Sequence, residues 1–272
     1  MEYVEVQGEQ VPALGFGTWQ LTGRAATEAV RHALELGYRH LDTAQMYRNE
    51  PQVGQALADS GLDRGEVFLT TKLQPRNLEP DRVQRSTHES LERLQTDYVD
   101  LLLIHWPAFP GSMEATLQAM VDLREEGTVR HIGVSNFTPT LLRQALDHAP
   151  IFCNQVEYHP YLAQPELCQL AVERDLMLTA YSPLAKGRVI DDEGLGEIGR
   201  RHGKTAAQVT LRWLVQQHHV AAIPRSGDRE HRAANFDIFD FELNEEEMAR
   251  IEDLDRARRL IDPADLAPDW ER

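Results

Sequence analysis

Four polar residues of the types used in proton transfer, Asp42, Tyr47, Lys72 and His105, follow apolar segments of this 272-residue chain. A free tyrosine has a pKa of about 10 and donates its proton poorly at neutral pH. A lysine ammonium beside the phenol favours the phenolate and lowers that pKa, and an aspartate keeps the ammonium charged and in place. A histidine across the pocket orients a carbonyl oxygen by hydrogen bonding. Together the four predict proton donation to a forming alkoxide, as carbonyl reduction by hydride requires.

Each of these residues has an ordinary interpretation when taken alone. An aspartate such as Asp42 is as often a helix cap as a catalyst. A lysine such as Lys72 is often the partner in a surface ion pair. His105 alone is more typical of a buried structural histidine, and Tyr47 alone of packing. The catalytic interpretation depends on all four lying at, or just past, the ends of predicted strands.

The apolar segments predict strands that are buried on both faces. Runs such as Val99–Ile104 and Met177–Tyr181 lack alternation, which is typical of a parallel sheet covered by helices. Amphipathic helices separate them, and Val4–Val11 predicts a β-hairpin. Eight strands are predicted, ending near Gly17, Asp42, Lys72, His105, Ser135, Gln155, Tyr181 and Ile223.

We therefore predict an α/β chain with one domain over residues 1–272, a (β/α)8 TIM barrel with an N-terminal β-hairpin and extra C-terminal helices. Helix signals support the alternation. The predicted signals are a helix over Ala25–Leu36, first-turn prolines at Pro80 and Pro139 with Thr138 as N-cap, and capping boxes at Thr205/Gln208 and Asn244/Glu247. Chemistry in such a barrel gathers at the carboxyl ends of the strands, where the four polar residues fall.

Composition and net charge argue against some classes of binding partner. The formal net charge of −16 argues against nucleic acid or an anionic membrane, since both need clustered cations. No run approaches the roughly 20 apolar residues of a membrane span, and the N-terminus lacks a signal-peptide pattern. The two cysteines suit a reducing compartment, so we expect a cytoplasmic protein.

Two further patterns are weaker evidence for a binding site. Gly15-Phe16-Gly17 lacks the third glycine of a dinucleotide-binding fingerprint, because Gln20 stands there. Glu157 and His159, with His105, are conceivable metal ligands, but no cluster has suitable spacing, and we expect no metal.

Residues 37–50, Gly-Tyr-Arg-His-Leu-Asp-Thr-Ala-Gln-Met-Tyr-Arg-Asn-Glu, match the signature G-[FY]-R-x-[IL]-D-[TS]-A-x-x-Y-x-N-E. Further matching segments follow in order at Leu103–Pro107, Ile132–Phe137, Asn154–Pro160, Ala180–Leu184 and Ile223–Ser226. On these residues the chain resembles the aldo-keto reductases over essentially its whole length. It is most similar to the shorter bacterial members of the 2,5-diketo-gluconate reductase type.

The resemblance implies an NAD(P)H-dependent oxidoreductase that reduces aldehydes and ketones to alcohols. It implies Tyr47 as proton donor, Lys72 as the partner that lowers its pKa, Asp42 as the anchor of the lysine and His105 as the carbonyl-orienting group. The cofactor-binding residues that it implies are Gly17, Thr18, Trp19, Asp42, Ser135, Asn136, Gln155, Tyr181, Ser182, Pro183, Leu184, Lys186, Ile223, Pro224, Arg225, Ser226, His231 and Asn235. The substrate-binding residues are Trp19, Tyr47, His105 and Trp106. A cofactor-binding regulatory subunit with slow chemistry is the alternative.

Three departures from the family pattern bear on specificity. Arg225 replaces a lysine, and His231 stands where NADP-preferring members often carry arginine, with Arg229 and Arg232 as candidate substitutes. We expect NADPH (NADP+) to be preferred, with appreciable use of NADH. Gln74 lies where many relatives place tryptophan, which predicts an open pocket for small aldehydes or ketones, completed by residues 108–111 and 264–270. We expect a monomer.

Overall fold

The computed structural model describes residues 1–109 and 111–270. The chain begins with a hairpin of antiparallel strands β1 (Tyr3–Val6) and β2 (Glu9–Pro12). Gln7 and Gly8 form its two-residue turn with φ angles of 49° and 79°, a positive-φ pair whose twist suits a tight hairpin. This confirms the predicted hairpin.

In the part of the chain that the structure describes, eight parallel strands form the second sheet, in chain order from one side to the other. Each observed strand ends within two residues of its predicted end, and nearly all strand residues are buried, as the apolar runs predicted. The strands are β3 (Phe16–Gly17), β4 (His40–Asp42), β5 (Phe68–Leu73), β6 (Val99–Ile104), β7 (Val129–Ser135), β8 (Ile151–Glu157), β9 (Met177–Tyr181) and β10 (Val220–Ala222).

Backbone hydrogen bonds close this sheet on itself. Ala222 N donates to Ala13 O at 2.8 Å and Gly15 N donates to Ala222 O at 2.8 Å, so the chain leading into β3 lies beside β10. A Cβ at Gly15 would lie 2.8 Å from the His40 ring, so only glycine fits this approach. Gly15 therefore serves barrel closure.

In the described residues, ten helices surround the strands and cover the sheet. Pro80 and Pro139 begin their helices, Thr138 caps its helix through its side chain, and both capping boxes are formed, as predicted. The helices are α1 (Gly23–Leu36), α2 (Glu50–Ala58), α3 (Pro80–Leu94), α4 (Met113–Glu125), α5 (Pro139–His148), α6 (Pro165–Arg174), α7 (Glu193–His202), α8 (Ala206–Val215), α9 (Arg229–Phe236) and α10 (Glu245–Glu252).

The predicted (β/α)8 barrel with an N-terminal hairpin is confirmed, with α9 and α10 after the last strand. Among residues 1–109 and 111–270, no helix combines the length and apolar character needed to cross a bilayer. The division of the chain into a single domain over residues 1–272 stays a prediction.

Candidate active site

Adjacent strands bring the four predicted catalytic residues to one end of the barrel. Asp42 ends β4, Lys72 is the penultimate residue of β5, and His105 directly follows β6. Tyr47 ends a 3-10 turn, Gln45–Tyr47, that follows β4. Since β4, β5 and β6 are neighbours in the sheet, residues 30 or more positions apart in the chain share one edge.

A buried ion pair forms the centre of the site. Lys72 Nζ donates to Asp42 Oδ1 at 2.5 Å and to Thr43 O at 2.9 Å, and Gln155 Nε2 donates to Asp42 Oδ2 at 2.9 Å. The two charged side chains are 0% and 2% exposed. Burial lowers the pKa of Lys72, and the Asp42 carboxylate opposes that shift. Asp42 and Thr43 thus both hold the lysine ammonium at this end of the barrel.

Tyr47 lies against both Lys72 and His105. Lys72 Nζ is 5.1 Å from the centroid of the Tyr47 ring, and the His105 ring meets that ring edge-on with centroids 5.5 Å apart. The pKa of Tyr47 is raised well above its ordinary value by burial, then by the charge of Asp42 and by Tyr181. The expected net lowering of the Tyr47 pKa is thus not found, because burial and the Asp42 charge dominate. The phenol holds its proton firmly.

His105 is a neutral imidazole in this environment. Its side chain stacks on Trp106, and Nδ1 is buried without a hydrogen-bond partner among the described residues. Burial and, secondarily, the Lys72 charge hold the pKa of His105 well below its ordinary value. A neutral imidazole suits orientation of a carbonyl oxygen through hydrogen bonding.

Amide and hydroxyl groups line the next part of the barrel end. Asn136 Nδ2 donates to His105 O at 2.9 Å and to Ser135 Oγ at 3.1 Å, and Tyr181 OH donates to Asn136 Oδ1 at 2.6 Å. Ser135 Oγ donates to the backbone oxygen of Gln155 at 2.8 Å. Gln155 also contacts Asp42, so this polar group is continuous with the ion pair.

The loop after β9 turns sharply beside this group. Ser182 and Lys186 have φ angles of 48° and 55°, Pro183 is buried, and Leu184 is partly buried. Lys186 Nζ donates to the backbone oxygen of Leu260 at 3.0 Å. The lysine thus links this loop to the C-terminal tail.

A basic region lies between the end of β10 and the first turn of α9. Arg225 is exposed and its Nε donates to Trp19 O at 3.0 Å. His231 and Arg229, in the first turn of α9, have side chains that are 74% and 72% exposed. Arg232 is buried, with Nε donating to His32 Nδ1 at 3.2 Å and Nη1 to Ser226 O at 3.1 Å.

The expectation that Arg232 substitutes for a phosphate-binding arginine is therefore wrong, because its guanidinium is buried and donates to His32 and Ser226. Arg229 stays accessible. Other predicted residues of this region are buried around the ends of β3 and β10, namely Gly17, Thr18, Ile223, Pro224, Ser226 and Asn235. Thr18 Oγ1 donates to the backbone oxygen of Asp42 at 2.9 Å, which joins this region to the ion pair.

The aromatic side chains predicted to border the substrate differ in exposure. Trp19 is 44% exposed, whereas Trp106 is 6% exposed. Phe109 packs edge-on against Phe137 with ring centroids 6.2 Å apart. Of the loop predicted to complete the pocket, Pro110 lies outside the described residues.

Glu157 and His159 have a role that the sequence did not reveal. Glu157 Oε1 lies 2.9 Å from His159 Nε2, and both side chains are fully buried. The same carboxylate accepts hydrogen bonds from the backbone nitrogens of Leu260 and Ile261 at 2.8 and 2.9 Å. The pair therefore anchors the C-terminal tail. In the described parts of the chain, no three His, Cys, Asp or Glu side chains lie close enough together to hold a metal ion.

Two polar residues brace the loop that carries Tyr47. Gln45 Nε2 donates to Ser86 O at 3.1 Å, and its Oε1 accepts from Gln74 N at 3.1 Å. Asn49 Nδ2 donates to the backbone oxygens of Thr18 and Leu21. Asn49 is a specified position of the 37–50 signature, whereas Gln45 stands at an unspecified one. No other sequence pattern indicates the bracing role of these two residues.

Residues 13–256 match the model of the aldo/keto reductase family. Methylglyoxal reductase DkgB of Salmonella typhi is 42% identical over 269 residues, covering 96% of this chain and 99% of the relative. Glyoxal reductase of Bacillus subtilis (strain 168) is 42% identical over 257 residues, covering 93% and 92%. A crystal structure provisionally named 2,5-diketo-D-gluconic acid reductase B has a TM-score of 0.97 and 47% identity, covering 99% and 97% of the two chains.

Proposed function

This chain belongs to the aldo/keto reductase family and reduces carbonyl groups to alcohols, and from that premise we propose that Tyr47 is its proton donor. The observation that supports this role is the gathering of Tyr47, Lys72, Asp42 and His105 at one barrel end, with the buried Lys72–Asp42 pair beside the phenol. The alternative of a regulatory subunit is not favoured, since the relatives are named as reductases.

The chemistry divides among these side chains. The nicotinamide cofactor of this family supplies a hydride to the carbonyl carbon when it is bound. His105, neutral, donates a hydrogen bond that orients the carbonyl oxygen. Tyr47 retains its proton at Oη until negative charge develops on that oxygen, and then donates it. The Lys72 ammonium stabilises the resulting phenolate, and Asp42 keeps the ammonium in place.

The residues beside the ion pair fit a nicotinamide cofactor. Ser135, Asn136 and Gln155 offer the hydroxyl and amide groups that pair with a carboxamide, and the partly exposed Tyr181 ring offers a stacking surface. Arg225 offers an exposed cation at the other side for a phosphate. We assign the cofactor to Gly17, Thr18, Trp19, Asp42, Ser135, Asn136, Gln155, Tyr181, Ser182, Pro183, Leu184, Lys186, Ile223, Pro224, Arg225, Ser226, His231 and Asn235.

NADPH is the proposed cofactor, with appreciable use of NADH. Arg229 is exposed in the first turn of α9 and suits a 2′-phosphate. The exposed His231 is a weaker phosphate ligand when neutral, and Arg232 is engaged elsewhere, so the discrimination is modest.

Small aldehydes and dicarbonyls are the proposed substrates, bordered by Trp19, Tyr47, His105 and Trp106. The names of the two enzyme relatives, methylglyoxal reductase and glyoxal reductase, support this class. We propose that the enzyme works as a monomer in the cytoplasm, where a reducing environment suits the free thiols of Cys153 and Cys168.

A steady-state assay of NADPH oxidation with methylglyoxal tests the proposal. We expect saturable turnover with methylglyoxal and small aldehydes, and loss of that turnover in Tyr47→Phe. Cofactor binding without turnover across a panel of small aldehydes and ketones would contradict it.

A further inference from the structure

An arginine-rich cleft of about 610 Å³ opens beside the loop that carries Tyr47. Its volume lies within the range of small-molecule sites, roughly 300–1,000 Å³. Gln45 and Arg48, on either side of Tyr47 in the chain, contribute to its wall, as does Gln74 after β5. None of its lining residues is among those assigned above to the cofactor or the substrate, although Gln74 also lies where the sequence predicts an open substrate pocket.

The charge of this cleft is opposite to that of the protein. Five arginines and two glutamates line it, a net charge of +3, in a chain whose formal charge is −16. The arginines are Arg48, Arg76, Arg82, Arg85 and Arg93. Guanidinium groups that line one cleft repel one another, and an anion placed between them relieves that repulsion.

The two glutamates are already paired within the protein. Glu50 is almost fully buried and accepts hydrogen bonds from Arg93 Nε at 2.8 Å and from Thr71 Oγ1 at 2.6 Å. Glu89 lies 3.8 Å from Arg93 Nη1. Arg93 therefore accounts for both carboxylates.

The other four guanidiniums keep free donors. Within the described chain, the side chains of Arg48, Arg76 and Arg85 have no hydrogen-bond or ion-pair partner, and Arg82 donates only to the backbone oxygen of Arg76. Ser86 also lines the cleft, is 5% exposed, and has no hydrogen-bond partner for its Oγ among these residues. The cleft thus offers several planar forks of N–H donors without acceptors.

From this geometry we propose that the arginine cleft binds a small molecule with two or more phosphate groups. Guanidinium groups pair bidentately with phosphate oxygens, and several groups facing one space suit an anion with several charges. The net charge of +3 on the cleft is opposite in sign and similar in size to the charge of inorganic pyrophosphate at neutral pH. This site is separate from the proposed cofactor site and does not depend on the enzymatic activity.

Isothermal titration of the full-length protein with inorganic pyrophosphate at low ionic strength tests the proposal. We expect saturable 1:1 binding that persists at saturating NADP+, with inorganic phosphate binding at least about tenfold more weakly. The double variant Arg76→Gln/Arg85→Gln should weaken pyrophosphate binding by roughly tenfold or more. Both side chains are exposed, so its thermal unfolding should match the wild type.

The matched control is Arg24→Gln/Arg31→Gln, which removes two exposed arginines of α1. We expect its affinity for pyrophosphate to change by less than about twofold, since only general screening is altered. Absence of saturable binding, an equal loss in both double variants, or equal affinity for phosphate would overturn the proposal. So would displacement by NADP+ with a loss confined to Arg225→Gln, which would place the anion in the cofactor site.

Discussion

The Lys72 ammonium lies 2.5 Å from Asp42 Oδ1, where both side chains are excluded from water. Transfer of two charges out of water is costly, and their attraction offsets that cost only when the remaining donors and acceptors are satisfied. Thr43 O and Gln155 Nε2 complete the set here. Each charge therefore depends on the other for its place in the fold.

The substitution Asp42→Asn should lower the free energy of unfolding by about 3–5 kcal/mol, because it leaves a buried ammonium without its counter-charge. The double variant Asp42→Asn/Lys72→Met should lose less than the sum of the two single losses. Urea unfolding of the four proteins measures the coupling between the residues. Strictly additive losses would contradict a mutually dependent pair, and Glu28→Gln, which disrupts an exposed pair with Arg24, should cost at most about 1 kcal/mol.

The variant Tyr47→Phe should reduce kcat for carbonyl reduction by roughly 100-fold or more, since it removes the proposed proton donor and little else. Quenching of intrinsic fluorescence by NADPH should remain close to that of the wild type, because the ring is retained. The control is Tyr3→Phe, whose side chain is exposed in the N-terminal hairpin and should leave kcat unchanged. Near-normal turnover in Tyr47→Phe would refute the assigned role.

Residue type and position relative to strand ends predicted the barrel and the gathering of Asp42, Lys72 and His105. Those features follow from local patterning and from the geometry shared by parallel strands. The raised pKa of Tyr47 was missed because it depends mainly on burial of the phenol, which local patterns do not encode. The roles of Arg232 and Glu157 were missed for a similar reason. Their partners, His32 and Leu260, lie 200 and 103 residues away, a relation that local patterns do not encode.

The low pKa of His105 should make folding stability depend on pH. Burial lowers the pKa of His105 and His40 below the ordinary 6.5, so below about pH 6.5 the unfolded chain binds protons that the folded protein refuses. The stability that the two neutral histidines contribute is thus fully present above that pH, and it falls as the pH drops towards their pKa values in the folded protein. The slope should be on the order of 1 kcal/mol per pH unit for each histidine.

Urea unfolding between pH 7.5 and 5.5, values chosen to span a pKa of about 6.5, measures this slope. The variant His105→Gln should show a shallower dependence than the wild type, whereas His218→Gln, at an exposed position, should not. An unchanged slope in His105→Gln would show that the imidazole gains its proton as readily when folded.

Cofactor choice should respond to the first turn of α9. The substitution His231→Arg should raise the ratio of kcat/KM for NADPH over NADH by roughly tenfold, because it adds a charged donor at an exposed position. Arg229→Gln should lower the same ratio, while Arg31→Gln should leave it unchanged. Equal or better efficiency of the wild type with NADH would contradict the proposed preference.

The buried carboxylate of Glu157 should control the C-terminal tail. In Glu157→Gln one carboxylate oxygen becomes an NH2 group, which cannot accept from the backbone N–H of Leu260 or Ile261, so one tail contact is lost. The tail borders the predicted pocket, so KM for the carbonyl substrate should rise while kcat changes little. Trypsin should also cleave the native protein faster after Arg258, which is exposed. The control is Glu166→Gln, which disrupts an exposed pair with Arg143 and should alter neither measurement. Unchanged proteolysis and KM in Glu157→Gln would show that other contacts, such as Lys186 to Leu260, suffice to hold the tail.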